Sequence, residues 1–164
     1  MIRRRHLLAG GTAILAGGAL TRLLGGDGAA AMPPGPFAVT KTEAEWRRAL
    51  TPLQFAVLRK HATERPFSSP LDAEKRPGGY ACAGCELTVF AAADKFDSGT
   101  GWPSFSRPVE GAVQTSEDRS LFMLRTEAHC TRCGGHLGHV FDDGPKPTGQ
   151  RWCMNGAALD FHPA

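Results

Sequence analysis

The 164-residue chain has few cysteines, and they are unevenly placed. Four of the five form two short pairs, "CAGC" (Cys82 and Cys85) and "CTRC" (Cys130 and Cys133). The fifth, Cys153 in "RWCMN", has no cysteine near it in sequence. So small a number excludes the dense disulfide framework of small secreted scaffolds. The pairs and the single remaining thiol therefore need separate explanations.

The chain also lacks an excess of charge outside its first 31 residues. Four of its 19 basic and one of its 16 acidic side chains lie there, which leaves 15 of each sign in residues 32–164. A nucleic-acid-binding domain usually carries a basic face. The balanced charge argues against an acidic-lipid partner, and we expect no nucleic-acid partner.

A long, strongly apolar run is missing as well. The segment "MIRRRHLLAGGTAILAGGAL" starts with adjacent arginines and has no charge from His6 to Thr21, but it is rich in Gly and Ala and is followed by Arg22. A stable membrane span needs about 20 predominantly apolar residues. We therefore predict an export signal of the twin-arginine type over residues 1–31, with small residues for cleavage at its end. An ordinary secretory signal and an uncleaved membrane anchor are the alternatives.

The export signal implies a simple domain organisation. Residues 32–40 are rich in Pro and Gly and are predicted to be a linker, and residues 41–164 are predicted to form one domain. We expect a monomer that is exported to the periplasm or another extracytoplasmic space, with no stable membrane association once the signal is removed. An uncleaved signal would instead anchor it to the membrane.

Two short helices are predicted at the start of the domain. Thr42 precedes Glu45 by three residues, and Thr51 precedes Gln54 by three, so each threonine can begin a capping box. The predicted buried faces are Trp46, Ala49 and Leu50 in the first helix and Leu53, Val57 and Leu58 in the second.

The rest of the domain has the pattern of short strands. From about Pro66, glycines and prolines separate segments rich in Val, Phe, Leu, Trp and Thr, namely "ELTVF", "GAVQT", "SLFMLRT", "HVF" and "RWCMN". Helices followed by a series of strands favour a mainly β domain with a helical N-terminal appendage.

The paired cysteines fit a structural metal site. Each Cys-x-x-Cys can present two thiolates from one tight turn, and Gly84 and the Gly134-Gly135 pair would ease these turns. Four thiolates select zinc or iron–sulfur chemistry. The 44 residues between the pairs exceed the spacing of a compact zinc ribbon, so the metal would join distant parts of the fold. Disulfides are the alternative in an oxidising compartment, and a thioredoxin-like redox pair is a weaker one without a βαβ context.

The surroundings of Cys153 favour a reactive thiol over an inert buried one. On an extended strand Arg151, Cys153 and Asn155 share one face, which places polar groups where a buried strand would carry apolar ones. A nearby cation favours the thiolate. A surface charge at the strand end is the alternative for Arg151.

Five motifs together resemble the B-type methionine sulfoxide reductases, which reduce the R epimer of methionine sulfoxide. In chain order they are "EWRRALTPLQFAVLRKHATERPF", "GGYACAGCELTVF", "KFDSGTGWPSF", "CTRCGGHLGHVFDDGP" and "RWCMN". The resemblance covers about residues 42–161. It implies two antiparallel sheets in a tent-like, barrel-related fold, short helices before them, and one structural Zn²⁺ per chain on the four paired cysteines.

The resemblance also implies the roles of the site residues. Cys153 would be the nucleophile that becomes a sulfenic acid, His139 and His136 catalytic histidines, and Asn155 a hydrogen-bonding residue beside them. Substrate contacts would come from Trp102, whose indole receives the S-methyl group, and from Phe141 and Arg151. The expected substrates are oxidised proteins, with free methionine sulfoxide also compatible, and the expected role is repair after oxidative damage.

Two positions depart from the family pattern. Many members carry a second, resolving cysteine where this chain has Thr100, so a thiol reductant such as thioredoxin would have to regenerate Cys153 directly. Gly156 replaces a serine that members usually carry. A zinc-bearing β module that binds a protein or nucleic acid, and a family member that has lost catalysis, remain the alternative functions.

Overall fold

The computed structural model describes residues 37–120 and 123–164. The predicted signal and the start of the predicted linker lie outside the described residues. Within the described ranges, no helix has the length and apolar character needed to cross a membrane.

Two short helices open the fold, α1 (Glu43–Ala49) and α2 (Pro52–Lys60), and both predicted capping boxes are formed. Their buried faces differ in part from the prediction. Trp46 and Leu50 are buried but Ala49 is exposed, and α2 buries Phe55, Val57 and Leu58 while Leu53 is half exposed. At 3.6 residues per turn, a face centred on Leu58 includes Phe55 and Val57 and leaves Leu53 to one side.

In the part of the chain that the structure describes, nine strands form two antiparallel sheets, which confirms the predicted mainly β class. The three-stranded sheet, in the order β2-β1-β9, contains β1 (Gly78–Cys82), β2 (Thr88–Ala91) and β9 (Leu159–Pro163). The six-stranded sheet, in the order β3-β4-β8-β7-β6-β5, contains β3 (Lys95–Phe96), β4 (Ser104–Phe105), β5 (Val113–Asp118), β6 (Arg125–Cys130), β7 (His136–Phe141) and β8 (Arg151–Met154). Single 3₁₀ turns span Pro70–Asp72, Ala92–Asp94 and Gly156–Ala158.

The strand prediction missed β1, β3, β4 and β9, and it began β6 too early. β3 and β4 have two residues each, too few for an alternating pattern. β1 begins with two glycines, which the sequence pattern assigns to a turn. It is nevertheless the central strand of its sheet, since it pairs with both β2 and β9.

Aromatic side chains pack the two sheets together. Tyr80 and Phe90 come from the three-stranded sheet, Phe105 and Trp152 come from the six-stranded sheet, and all four are buried. The Phe90 and Phe105 rings stack with centroids 4.4 Å apart. Because successive residues of a strand face opposite sides, the burial of Trp152 turns its neighbour Cys153 to the other face of β8.

The glycine at position 156, where the resemblance leads one to expect a serine, has a packing explanation. A Cβ on Gly156 would lie 2.0 Å from Ser69 Oγ and 2.4 Å from Ser69 Cβ. Rotation of the Ser69 hydroxyl cannot relieve the second contact. The side chain of Ser69 therefore occupies the space that a serine at position 156 would need.

We predict that Gly156→Ser lowers the free energy of unfolding by about 1–3 kcal/mol, the usual cost of overpacking. Adding Ser69→Gly should restore most of the loss, because it removes the clashing Cβ. Urea denaturation of the two single variants and the double variant measures this coupling. A double variant no more stable than Gly156→Ser alone would show that the two positions do not compete for the same space.

Candidate active site

The four paired cysteines converge in one cluster. Sγ of Cys82 lies 3.7 Å from Sγ of Cys133, Sγ of Cys85 lies 3.5 Å from Sγ of Cys130, and all four sulfurs lie within 4.8 Å of one another. Four thiolates bound to one Zn²⁺ at about 2.3 Å would stand about 3.8 Å apart. The cluster could therefore hold a metal ion.

Similar turns present the two cysteine pairs. The residue after the second cysteine is left-handed in both, with φ of 59° at Glu86 and 67° at Gly134. Its N–H donates to the carbonyl of the first cysteine over 2.8 Å in each turn. Of the glycines predicted to ease these turns, Gly134 has the left-handed backbone that favours glycine, whereas Gly84 and Gly135 do not. Since β1 ends at Cys82 and β6 at Cys130, the cluster joins the two sheets.

Cys153 belongs to a row of polar residues that crosses five strands. Its register partners are Ser104 on β4 and His139 on β7. His139 is paired with Glu127 on β6, and Glu127 with Ser116 on β5. Residues directly opposite each other in antiparallel strands share one face of the sheet. The register alone therefore places the thiol beside the His139 imidazole.

A cavity of about 160 Å³ opens at this row. Its lining includes five of the predicted site residues, namely Cys153, His139, Asn155, Trp102 and Phe141. The other lining residues are Thr63, Arg125 and Gly138. The predicted residues His136 and Arg151 lie nearby but do not line the cavity.

His139 is held by a carboxylate. Its Nε2 lies 2.8 Å from Asp118 Oδ2, which also accepts a 2.6 Å hydrogen bond from Arg125. Burial lowers the pKa of His139 below its ordinary value, and the bond to Asp118 only partly opposes this. Burial would raise the pKa of Asp118, but hydrogen bonds from Ser120 and His139 hold it well below its usual range. The site thus pairs an ionised carboxylate with a neutral imidazole.

The thiol of Cys153 is held in its protonated form. Burial raises its pKa, while the charge of Arg151 and the hydroxyls of Thr100 and Ser104 act in the opposite direction. Ser98 bridges these two hydroxyls, with its Oγ 2.8 Å from each oxygen. Thr100, where the resemblance leads one to expect a resolving cysteine, therefore presents a hydroxyl to Cys153.

Arg151 is an anchored cation and not a surface charge. It is 8% exposed, and its guanidinium donates to both carboxylate oxygens of Asp143, at 2.8 and 2.9 Å. The same guanidinium lies 4.4 Å from the centroid of the Phe141 ring. Arg151 therefore acts on the thiol through its charge, and it supports one wall of the cavity through Phe141.

His136 lies in a buried cluster next to the cavity. It is 1% exposed, and its Nδ1 lies 2.8 Å from Glu127 Oε1. Nδ1 of His61 lies 3.1 Å from the same oxygen, and Ser116 donates to the other. The His136 and His139 ring centroids are 5.3 Å apart. If His136 has the predicted catalytic role, it would therefore act through its neighbour His139, because His136 itself does not line the cavity.

Trp102 and Asn155 are fixed by the same backbone segment. The Trp102 indole donates to the Glu64 carbonyl over 3.2 Å, and Asn155 Oδ1 accepts from the Glu64 N–H over 2.9 Å. The Asn155 amide also donates to the Leu137 carbonyl. These bonds orient the two side chains on the cavity wall.

The sequence prediction missed several residues of this site, of which Asp118, Arg125 and Glu127 matter most. A usable indication was present, because Arg125 lies in the segment predicted as a strand and Glu127 follows it by two positions. Two residues at that spacing share one face of a strand that continues past the predicted end. The sequence also offered an indication that Gly138 belongs to the site, since it lies between His136 and His139. A Cβ there would lie 2.1 Å from the Cys153 carbonyl oxygen.

A thiol that shares a small cavity with a carboxylate-bound imidazole and an indole is typical of an enzyme with a cysteine nucleophile. Comparisons with known proteins narrow this class. Residues 50–163 match the family described as the SelR domain. The chain is 56% identical over 126 residues to peptide methionine sulfoxide reductase MsrB of Bradyrhizobium diazoefficiens, covering 76% of this chain and 91% of that protein.

Two further relatives carry the same name. The identity is 51% over 126 residues with the protein of Agrobacterium fabrum and 53% over 125 residues with that of Methanosarcina barkeri, each covering 76% of this chain. The alignments cover 93% and 88% of those proteins. The chain belongs to the MsrB family of peptide methionine sulfoxide reductases.

Proposed function

We propose that the protein reduces methionine-R-sulfoxide to methionine with Cys153 as the nucleophile. The observation that carries the proposal is the position of this thiol. Of the five cysteines, four converge in the metal-type cluster, and Cys153 alone lines the cavity with His139 and Trp102.

The cavity walls suit a methyl sulfoxide. This group has a polar oxygen beside an apolar methyl, so a site that binds it should combine an aromatic wall with a hydrogen-bonding group. Trp102 and Phe141 supply aromatic surface, and His139 supplies the polar contact. This combination supports the reductase over a module that only binds a partner, which has no need of a nucleophile.

The chemistry is a two-electron exchange. The sulfur of Cys153 attacks the sulfoxide, the S–O bond breaks, and the oxygen leaves as the sulfenic acid of Cys153 while the substrate becomes a thioether. The oxygen needs one proton, which the thiol carries because burial raises its pKa. When Nε2 of neutral His139 donates to Asp118, Nδ1 is left with a lone pair that can pass this proton from sulfur to oxygen.

Cys153→Ser should abolish turnover of the R epimer, because serine cannot accept the oxygen. The measurement is methionine released from separated R- and S-sulfoxide peptides with dithiothreitol as reductant. We expect the wild-type protein to reduce the R epimer and to leave the S epimer unchanged. Activity on the R epimer that survives in Cys153→Ser would refute the assignment of the nucleophile.

We further propose that an external thiol reductant, such as a thioredoxin, regenerates the enzyme. Two thiols would reduce the sulfenic acid of Cys153 to the thiol, forming one disulfide and one water. Thr100 cannot resolve the sulfenic acid, and use of a clustered cysteine would dismantle the metal-type site. The hydroxyls of Thr100 and Ser104 remain available to hydrogen-bond the oxidised sulfur.

One turnover without reductant should leave Cys153 as a sulfenic acid, which mass spectrometry detects as a dimedone adduct. Thr100→Cys is the matched control, since it restores a thiol beside Cys153 and should yield a disulfide between positions 100 and 153. A disulfide between Cys153 and a native cysteine in the wild type would contradict direct regeneration.

We also propose that the four-cysteine cluster binds one structural Zn²⁺ per chain. The support is the set of four sulfurs at tetrahedral spacing, with no open position for a substrate. Bound there, the metal would supply a cross-link between the two sheets. It would have no part in the reaction at Cys153.

The purified protein should contain one zinc per chain, measured by metal analysis. Removing it with a chelator under reducing conditions should lower the melting temperature, because the bond between β1 and β6 is lost. Cys85→Ser should reproduce this loss. A protein without stoichiometric metal, whose four cysteines form disulfides, would overturn the assignment.

The cellular setting completes the proposal. We propose that the predicted signal exports the protein and that it acts as a monomer on oxidised proteins, in the repair of oxidative damage. Phe141 lines the cavity and is 37% exposed, so the cavity wall reaches the protein surface. This exposure supports a protein-bound substrate, because a methionine sulfoxide within a longer chain could then enter the cavity.

A further inference from the structure

Glu64 is a buried carboxylate outside the catalytic row. Only 5% of it is exposed, and its two oxygens accept hydrogen bonds from two consecutive backbone N–H groups, those of Gly156 and Ala157. These residues open the 3₁₀ turn that follows β8, and Cys153 lies three positions before Gly156. The carboxylate therefore binds the chain segment that directly follows the strand carrying Cys153.

The backbone of Glu64 makes two further bonds. Its carbonyl accepts from the Trp102 indole, and its N–H donates to Asn155 Oδ1. Four bonds thus meet at one residue, and each joins Glu64 to the cavity wall or to the turn behind it. Neither the side chain nor the backbone of Glu64 contacts Cys153 or His139 through a hydrogen bond.

We propose that Glu64 is a positioning residue that sets the distance between the Trp102 wall and the nucleophile. This inference rests on the proposed reduction of a methyl sulfoxide at Cys153. The carboxylate fixes Glu64 to the turn after β8, and the Glu64 backbone in turn fixes the indole. The backbone on either side of Trp102 is held by bonds from Met154 N–H to the Pro103 carbonyl and from Phe67 N–H to the Gly101 carbonyl. The indole N–H itself donates to the Glu64 carbonyl, so this bond orients the ring.

Loss of the Glu64 carboxylate should therefore displace the Trp102 indole and leave the position of the Cys153 thiol unchanged. Cys153 and His139 are held by pairing between β7 and β8, which Glu64 does not contribute to. A displaced indole contacts substrate in the ground state and the transition state alike, so the Michaelis constant should rise more than kcat falls. Reaction of Cys153 with a small alkylating agent needs no wall and should not change.

Glu64→Ala and Glu64→Gln test the proposal in the full-length, metal-containing protein. The amide of glutamine keeps the shape but can accept only one of the two N–H bonds, which makes it the milder variant. Glu74→Ala is the matched control, because Glu74 Oε1 also accepts from two consecutive backbone N–H groups, those of Lys75 and Arg76, away from the cavity.

With a methionine-R-sulfoxide peptide and dithiothreitol, we expect kcat/KM to fall by about 10- to 100-fold in Glu64→Ala, chiefly through KM, and by less in Glu64→Gln. The rate of Cys153 alkylation by iodoacetamide should stay at the wild-type value in both. Glu74→Ala should match the wild type in both assays. A wild-type KM in folded Glu64→Ala, or alkylation that slows in parallel with turnover, would overturn the positioning role.

A second readout does not depend on turnover. The indole N–H signal of Trp102 in a ¹⁵N-labelled sample, identified by its loss in Trp102→Phe, should shift in Glu64→Gln and stay in place in Glu74→Ala. An unmoved signal in Glu64→Gln would also overturn the inference. A wild type that is inactive on both sulfoxide epimers, with the signal shifted as expected, would contradict the proposed function and leave the positioning role supported.

Discussion

The candidate site depends on the register of the six-stranded sheet. Cys153, His139 and Glu127 meet because β8, β7 and β6 pair with these residues opposite one another. A slip of one residue would turn the thiol to the opposite face, among the core aromatics. The close approach of Gly138 to the Cys153 carbonyl supports this register, since a side chain there would separate the two strands.

An irregularity in the same sheet explains the second histidine. His136 and His139 are three positions apart, so a regular strand would place them on opposite faces. The pairing of β6 with β7 shifts between Ala128 and His129, and this bulge changes the alternation before His139 is reached. Both histidines can then approach the carboxylates of Asp118 and Glu127, which lie on neighbouring strands.

The sequence was sufficient for those parts of the site whose chemistry is concentrated in short motifs. The four-cysteine cluster, the two capping boxes and the cavity residues Cys153, His139 and Trp102 all follow from local spacing or from the family resemblance. The partners of these residues did not follow, because they are distant in the chain. Asp118 is 21 residues from His139, and Glu64 is 91 from Asn155. Such contacts are set by strand pairing and loop packing.

The two walls of the cavity are held in place by different kinds of contact, and this difference bears on how the enzyme would bind its substrates. The thiol and imidazole stand on a paired sheet, whereas the Trp102 loop rests on the segment after α2. Phe67 donates its N–H to the Gly101 carbonyl, and a Cβ on Gly101 would lie 2.7 Å from Phe67 N.

That supporting segment has an unusual backbone. His61 and Phe67 at its ends are left-handed with φ of 55° and 61°, a conformation that costs non-glycine residues of order 1 kcal/mol. Contacts with the sheet and the Trp102 loop must offset that cost. The thiol and imidazole proposed to react are thus fixed by strand pairing, while the aromatic surface proposed to receive the substrate depends on a smaller set of hydrogen bonds. Differences in substrate preference within this architecture should arise in residues 61–67 and 98–103 before they arise in the sheet.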